Sequence, residues 1–299
     1  MTQKNPWLTL ALLLPLTACG SSERHAEMPD PTTTDQTADD LALANNEAPA
    51  EETVAVAPPP QLVVIGDHTP IEGASPTLTV QAPRNGSTVR RGDVTIRWTL
   101  RNWELSAQGS HVHVIVDNEP YIAVRSTDAI NLTQLVRDNL GHELSEGSHV
   151  VRMFPSRGHH ESVKEPGAFA IFTFNNHTAT PGFTFDAGAP LLTFSRPKGC
   201  NVTGSEVLLD FFVTNAPLAA DGFRVRYTLD GAAGEITEWR PHHMQNLALG
   251  SHEIHLELLN AAGELVPGMF NDTTRTFTVA EACTPPAPAG APADPHAGH

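Results

Sequence analysis

The chain has 299 residues, of which 34 are acidic and 18 basic, giving a formal net charge of −16. That balance argues against a nucleic-acid partner, because nothing supplies a basic patch to neutralise phosphates. The N-terminal apolar run is too short to remain in a bilayer as a helix, which needs about 20 apolar residues.

In chain order, Lys4 precedes the apolar run "WLTLALLLPL", and small residues follow. A charged start, a short apolar segment and small residues before a cleavage point predict a secretory signal over residues 1–18. The next residues, "LTAC" from Leu16 to Cys19, resemble the lipobox of bacterial lipoproteins. The resemblance implies cleavage before Cys19, with lipid on its thiol and amine, so the first expected partner is a membrane. Gly20 and Ser21 follow Cys19 with no Asp. By the sorting rule of such lipoproteins this implies a cell-envelope protein at the outer membrane.

Residues 19–75 read as a stalk. Between Glu23 and Glu72 there are eleven acidic residues and one basic one, Arg24, spaced by Pro, Ala and Thr. Such a segment cannot bury enough apolar surface to offset its ordering entropy and is expected to stay extended. Its net charge of −10 accounts for most of the chain's −16, so the acidity says little about the folded part. Residues 283–299 are a second low-complexity piece, rich in Pro and Ala and including His296 and His299.

Between stalk and tail, short β-rich runs alternate with Gly, Asn, Asp and Pro turns, which predicts an all-β sandwich architecture. The chain also repeats itself. "VTIRWTLRNWELSAQGSHVHVIVDN", Val94 to Asn118, aligns without gaps to "VLLDFFVTNAPLAADGFRVRYTLDG", Val207 to Gly231. Trp98 falls on Phe211, Asn102 on Asn215, Gly109 on Gly222 and Asp117 on Asp230. Further on, "EGSHVVRMF" from Glu146 matches "LGSHEIHLEL" from Leu249. Two tandem domains are expected, over 76–178 and 188–282, each of about 100 residues. The opening "SPTLTVQAPRNGSTVRRGDVTIRW" and the closing Gly-Ser-His and Phe-Thr-Val pattern resemble the immunoglobulin-like and fibronectin-III-like modules of bacterial surface proteins. That resemblance implies two immunoglobulin-like β-sandwiches and no particular chemistry, since such sandwiches host many functions.

Strand periodicity sorts the histidines, because successive side chains point to opposite faces. In the second copy Phe223, Val225, Tyr227 and Leu229 share the core face, while Arg224 and Arg226 point away. The alignment therefore puts Val112, Val114 and Val116 in the core and turns His111 and His113 outward, onto a solvent face. His149 and His252 both follow Gly-Ser at a strand start in their own copies, which predicts a structural role there. Asp117 and Asp230 read as hairpin-turn residues. His242 and His243, in "RPHHMQNL", read as exposed loop residues.

Two segments belong to the first copy alone. "DAINLTQLVRDNLGHEL" predicts a short helix with Leu132, Leu135, Val136 and Leu140 inward. "PSRGHHESVKEPGAF", Pro155 to Phe169, is a polar connection of the kind that carries function. It reads either as a solvated loop held by ion pairs or as a binding loop presenting Arg157, Glu161 and Lys164. With Cys19 lipidated, Cys200 and Cys283 remain as an even pair in an oxidising compartment, most simply a disulfide.

No nucleophile elbow, zinc-protease motif, phosphate loop or dinucleotide fingerprint is present in the sequence, so an enzyme is not expected. Two readings stay open. One is a non-catalytic, lipid-anchored protein presenting two sandwiches to an envelope protein or glycan, with no cofactor. The other is an envelope copper or zinc binder built on His111 and His113. Imidazoles at i and i+2 on one strand face stand about 6.5–7 Å apart along the chain, close enough for their rings to converge. His159 or His160 would complete the donor set, and imidazole suits Cu²⁺ or Zn²⁺.

Overall fold

The computed structural model describes residues 57–284, and the expected signal, the expected lipid site at Cys19, most of the expected stalk and the residues beyond 284 lie outside them. The described chain is almost all β, as two immunoglobulin-like sandwiches. Strand β1 (Gln61–Val64) precedes the first sandwich. That sandwich holds β2 (Thr77–Ala82), β3 (Ser87–Val89), β4 (Thr95–Arg101), β5 (His111–Val116), β6 (Ile122–Val124), β7 (Ile130–Asn131), helix α1 (Leu132–Leu140), β8 (Gly147–Ser156) and β9 (Ala170–Asn176). The second holds β10 (Leu191–Arg196), β11 (Gly199–Val202), β12 (Val207–Thr214), β13 (Arg224–Leu229), β14 (Ala232–Ile236), β15 (His242–Gln245), β16 (Gly250–Leu259) and β17 (Asp272–Ala280).

The repeat extends to topology. The first sandwich pairs sheet β2-β4-β7 with sheet β3-β9-β8-β5-β6, and the second repeats the order as β10-β12-β15 and β11-β17-β16-β13-β14. In each, one short strand runs parallel to the last, β3 on β9 and β11 on β17. Asn102 and Asn215 both take left-handed backbone, as do Asp117 and Asp230. Those two aspartates do more than turn the chain. Asp117 sits 2.7 Å from His149 Nδ1 and accepts from Val150 N–H, while Asp230 sits 2.6 Å from His252 Nδ1 and accepts from Glu253 N–H. The other ring nitrogen of each histidine meets a carbonyl, of Ser145 or Ala248. Both histidines thus brace a turn, the structural role their Gly-Ser-His context predicts.

Each core follows strand parity. Val112, Val114 and Val116 of β5 pack with Trp98, Met153 and Phe174. Val225 and Leu229 of β13 pack with Phe211, Leu256 and Phe277. Helix α1 is capped at its start by the Asn131 side chain, which accepts from Gln134 N–H, and stopped by left-handed Gly141. Leu132 and Val136 are buried beneath it, and Leu135 and Leu140 pack against the same core. A disulfide joins Cys200 on β11 to Cys283 just beyond β17.

Two expectations fail here. The outer face of β5 is not a wet face: all six residues of the strand are buried. Ile115, Tyr121 and Phe154 of the first sandwich meet Phe212 of the second in one apolar cluster, with Phe169 and Trp239 packed on it. A second cluster joins Val150 to Leu191 and Phe270. The second sandwich therefore covers the face that parity turned outward. The stalk boundary at residue 75 is also too late. The short apolar quartet "QLVV" adds β1 to the edge of β15, registering Leu62 opposite Met244 and packing it on the second core. Edge-strand hydrogen bonds and the half-buried Leu62 side chain overcome the polar composition around them.

Candidate metal centre

Three imidazoles from two elements converge at the junction. His111 and His113 come from β5, whose parity places both on the outer face. His160 comes from the turn after β8. His111 Nε2 lies 3.0 Å from His113 Nε2 and 3.0 Å from His160 Nδ1. The three nitrogens all fall within 4.8 Å of one another. His111 and His113 are fully buried, and His160 is partly exposed.

The loop reaches the strand through two glycines. A Cβ at Gly158 would stand 3.2 Å from the Gly109 Cα, so the turn sits close on the backbone leading into β5 and a side chain there fits only if the backbone gives by a few tenths of an ångström. The turn is closed by His160 N–H donating to the Arg157 carbonyl at 2.9 Å, with His160 itself in left-handed backbone. Left-handed backbone is uncommon outside glycine, and histidine is among the residues that adopt it more readily.

Outer contacts set which nitrogen faces the cluster. His111 Nδ1 is 2.9 Å from the Gly109 carbonyl, which can only accept, so the proton sits on Nδ1 and Nε2 presents a lone pair. His113 Nδ1 is 3.0 Å from Ser195 Oγ on β10, a hydroxyl that can accept from it in the same way. Tyr121 stacks on the His113 ring at 3.7 Å between centroids, and its hydroxyl lies 3.1 Å from His160 Nδ1. Burial holds His113 well below the ordinary histidine range, with the neighbouring imidazoles adding to it. Burial also lowers His111, against the pull of the Gly109 carbonyl. His160 is lowered to about 3, by burial first and then by the charge of Arg196. The site is thus a set of neutral imidazoles, the state in which imidazole binds a metal.

The donor set fits a transition ion. Zn–N bonds of about 2.0–2.1 Å in tetrahedral array put donors about 3.3–3.4 Å apart, a few tenths wider than the 3.0 Å from His111 to each of the other two. Carbonyl and hydroxyl partners behind the rings are the usual orienting contacts of metal-bound histidine.

Other expected site residues fall elsewhere. His159 points away from the cluster, with its Nε2 3.0 Å from Glu161, because adjacent residues of a tight turn face different ways. Arg157, Glu161 and Lys164 do not present themselves to solvent as a binding loop. Arg157 donates to the carbonyls of Thr69 and Pro70, at 2.5 and 3.1 Å. Glu161 accepts from Thr69 N–H at 3.1 Å and Thr69 Oγ1 at 2.8 Å, and meets His68 at 3.4 Å. Burial alone would raise the Glu161 carboxyl, yet its bonds with His68, His159 and Thr69 hold it well below the carboxylate range. Lys164 pairs with Asp210 of β12 at 2.9 Å. These charges hold the pre-sandwich segment and the second sandwich in place. His242 and His243 lie on β15 rather than in a loop, and His242 is buried with Nδ1 2.7 Å from the Arg240 carbonyl. A second group, His255, Glu257 and Asp272, lies on the surface of the second sandwich. There Arg226 already engages both Glu257 oxygens at 2.6 Å.

Sequence reasoning missed Tyr121, Ser195, Arg196 and Lys198. Only "DNEPY", straight after the histidine strand, put an aromatic within reach. The other three reach the site through docking alone.

No family model and no curated protein matches the chain. Among solved structures it is similar to the Clostridium thermocellum CbhA fibronectin(III)-like modules, at 12% identity, covering 68% of this chain and 93% of that one with a TM-score of 0.23. It is also similar to Streptomyces avermitilis alpha-L-rhamnosidase, at 10% identity, covering 72% of this chain and 24% of that one with a TM-score of 0.19.

Proposed function

We propose that this is a non-catalytic metal-binding protein of the bacterial cell envelope, anchored by lipid on Cys19, that holds one Cu²⁺ or Zn²⁺ on His111, His113 and His160. The observation that carries the reading is the convergence of three imidazole nitrogens at 3.0 Å steps, with the far nitrogens of His111 and His113 already partnered. The lone pairs that His111 and His113 turn toward each other at 3.0 Å repel unless a proton or a cation sits between them. Burial disfavours a proton there, and a borderline divalent ion accepts such donors. The lipid anchor and the outer-membrane address rest on the lipobox-like "LTAC" and on Gly20 and Ser21. Two sandwiches also suit presentation to an envelope protein or glycan, and the metal site adds to that role rather than replacing it.

The test is calorimetric titration of the mature chain with Zn²⁺ and Cu²⁺ at neutral pH, with His296 and His299 replaced by Ala throughout. One equivalent should bind with submicromolar affinity. A His113→Ala variant should lose most of it. Equal binding by both proteins, or none by either, refutes the assignment.

A further inference from the structure

We infer that the metal centre takes a small oxyanion from solution as its remaining ligand, so that metal and anion bind together. This rests on the metal reading above and extends it to the class of co-ligand.

The first observation is charge. Among the described residues the cluster contains three imidazoles and no carboxylate. A divalent ion there would keep its full charge, since neutral imidazoles cancel none of it. The surroundings are cationic as well. The charges of Arg125, Arg196 and Lys198 act on both His111 and His160. Arg125 is held beside the cluster by donating to the Gly109 carbonyl at 2.8 Å. Lys198 lies 3.8 Å over the Tyr121 ring and donates to the Tyr121 carbonyl at 2.6 Å. The nearest buried acid is committed elsewhere. Asp210 is paired with Lys164 at 2.9 Å, which leaves Glu119, about half exposed, as the one carboxylate on the wall of the cavity beside His160.

The second observation is unspent donors beside open space. Arg196 Nε is buried with no hydrogen-bond partner among the described residues, and Nη2 reaches only Asn201 Oδ1 at 3.5 Å. A guanidinium with free donors is a fork for a carboxylate or phosphate edge. Its position follows from a break in register between Phe194 and Arg196 in the β10–β12 pairing, which re-aims the strand end. Arg196, Lys198, Tyr121 and His160 line one cavity of about 640 Å³, with Glu119 and Cys200 also on its wall. His160 is the one ligand of the three with an exposed flank, and the cavity opens on it. An oxyanion in that space can give one oxygen to the metal and others to Arg196 and Lys198. It supplies the negative charge that the protein's own donor set lacks.

The test compares Zn²⁺ affinity of the mature chain in sodium perchlorate with that in acetate, bicarbonate or inorganic phosphate at equal ionic strength. Affinity should rise about tenfold or more with at least one oxyanion. The pattern among the three separates carboxylate from phosphate as its source. In Arg196→Gln and in Arg196→Gln/Lys198→Gln the oxyanion gain should disappear, while affinity in perchlorate holds or rises because repulsion has been removed. The single variant keeps the Lys198 contact to Tyr121 and guards against loss of fold. Equal wild-type affinity in all four salts overturns the inference and leaves the metal site standing, and so does a gain that survives in both variants. No Zn²⁺ binding in any salt removes both readings together.

Discussion

Replacing Lys164 with Met should destabilise the junction between the sandwiches by about 3–5 kcal/mol, the usual cost of leaving one partner of a buried ion pair alone. Lys164 Nζ lies 2.9 Å from Asp210 Oδ1, with side-chain exposures of 7% and 2%. At that distance the attraction is about 6 kcal/mol for an effective dielectric near 20. The desolvation already spent on both ions, several kcal/mol each, offsets much of it. Met keeps the apolar stem but leaves the carboxylate buried. Asp210 Oδ1 would still accept from Ser162 N–H and Oγ, at 3.2 and 2.8 Å, while Oδ2 has no partner already. Adding Asp210→Asn removes the stranded charge and keeps the Ser162 bonds, so the double variant should recover to within about 2 kcal/mol of wild type. Urea unfolding followed by tryptophan fluorescence suits the question, because Trp239 packs in the junction cluster with Phe212. If the double variant is no more stable than the single one, the loss comes from packing and the charge argument is wrong.

Three further predictions concern other parts of the fold. Gly158→Ala places a Cβ against the Gly109 backbone at 3.2 Å, so the turn carrying His160 and the strand entry must part by a few tenths of an ångström. Metal affinity by calorimetry should fall about 10–100-fold with the melting temperature little changed, and an unaltered affinity would show that the close approach does not position the ligand. Cys200→Ser/Cys283→Ser opens a loop of 83 residues and should cost about 4.5 kcal/mol in urea unfolding, whereas two free thiols in the alkylated wild type would remove the premise. For pH, burial alone would lower His149, but the hydrogen bond and charge of Asp117 outweigh it and raise it above its ordinary value. The folded state therefore holds that proton more tightly. The advantage of wild type over Asp117→Asn should be complete below about pH 6.5 and fade as pH rises through the raised value. A difference in urea midpoint that stays flat from acid to alkaline pH contradicts this.

The sequence by itself determined what lies within one strand, one turn or one repeat. Period-two alternation told which way His111 and Val112 face, because a side chain's direction relative to its own sheet follows from backbone geometry. The gapless match of Val94–Asn118 to Val207–Gly231 carried the duplicated sandwich, down to the paired left-handed Asn102 and Asn215. Composition and spacing were enough for the helix over Leu132–Leu140 and for the cysteine pair. Tertiary structure decided what covers each face. Parity turned His111 away from one core, but only docking through Ile115, Phe154 and Phe212 buried it. Which of His159 and His160 joins the cluster depended on a turn seated on Gly109, a contact across 49 positions of sequence that no local pattern encodes. Ser195 reaches His113 from the other sandwich, and Arg196 and Lys198 reach the cavity beside His160, for the same reason. Alternation and turn chemistry are properties of neighbouring residues, whereas a site at a junction belongs to two surfaces that meet only once both have folded.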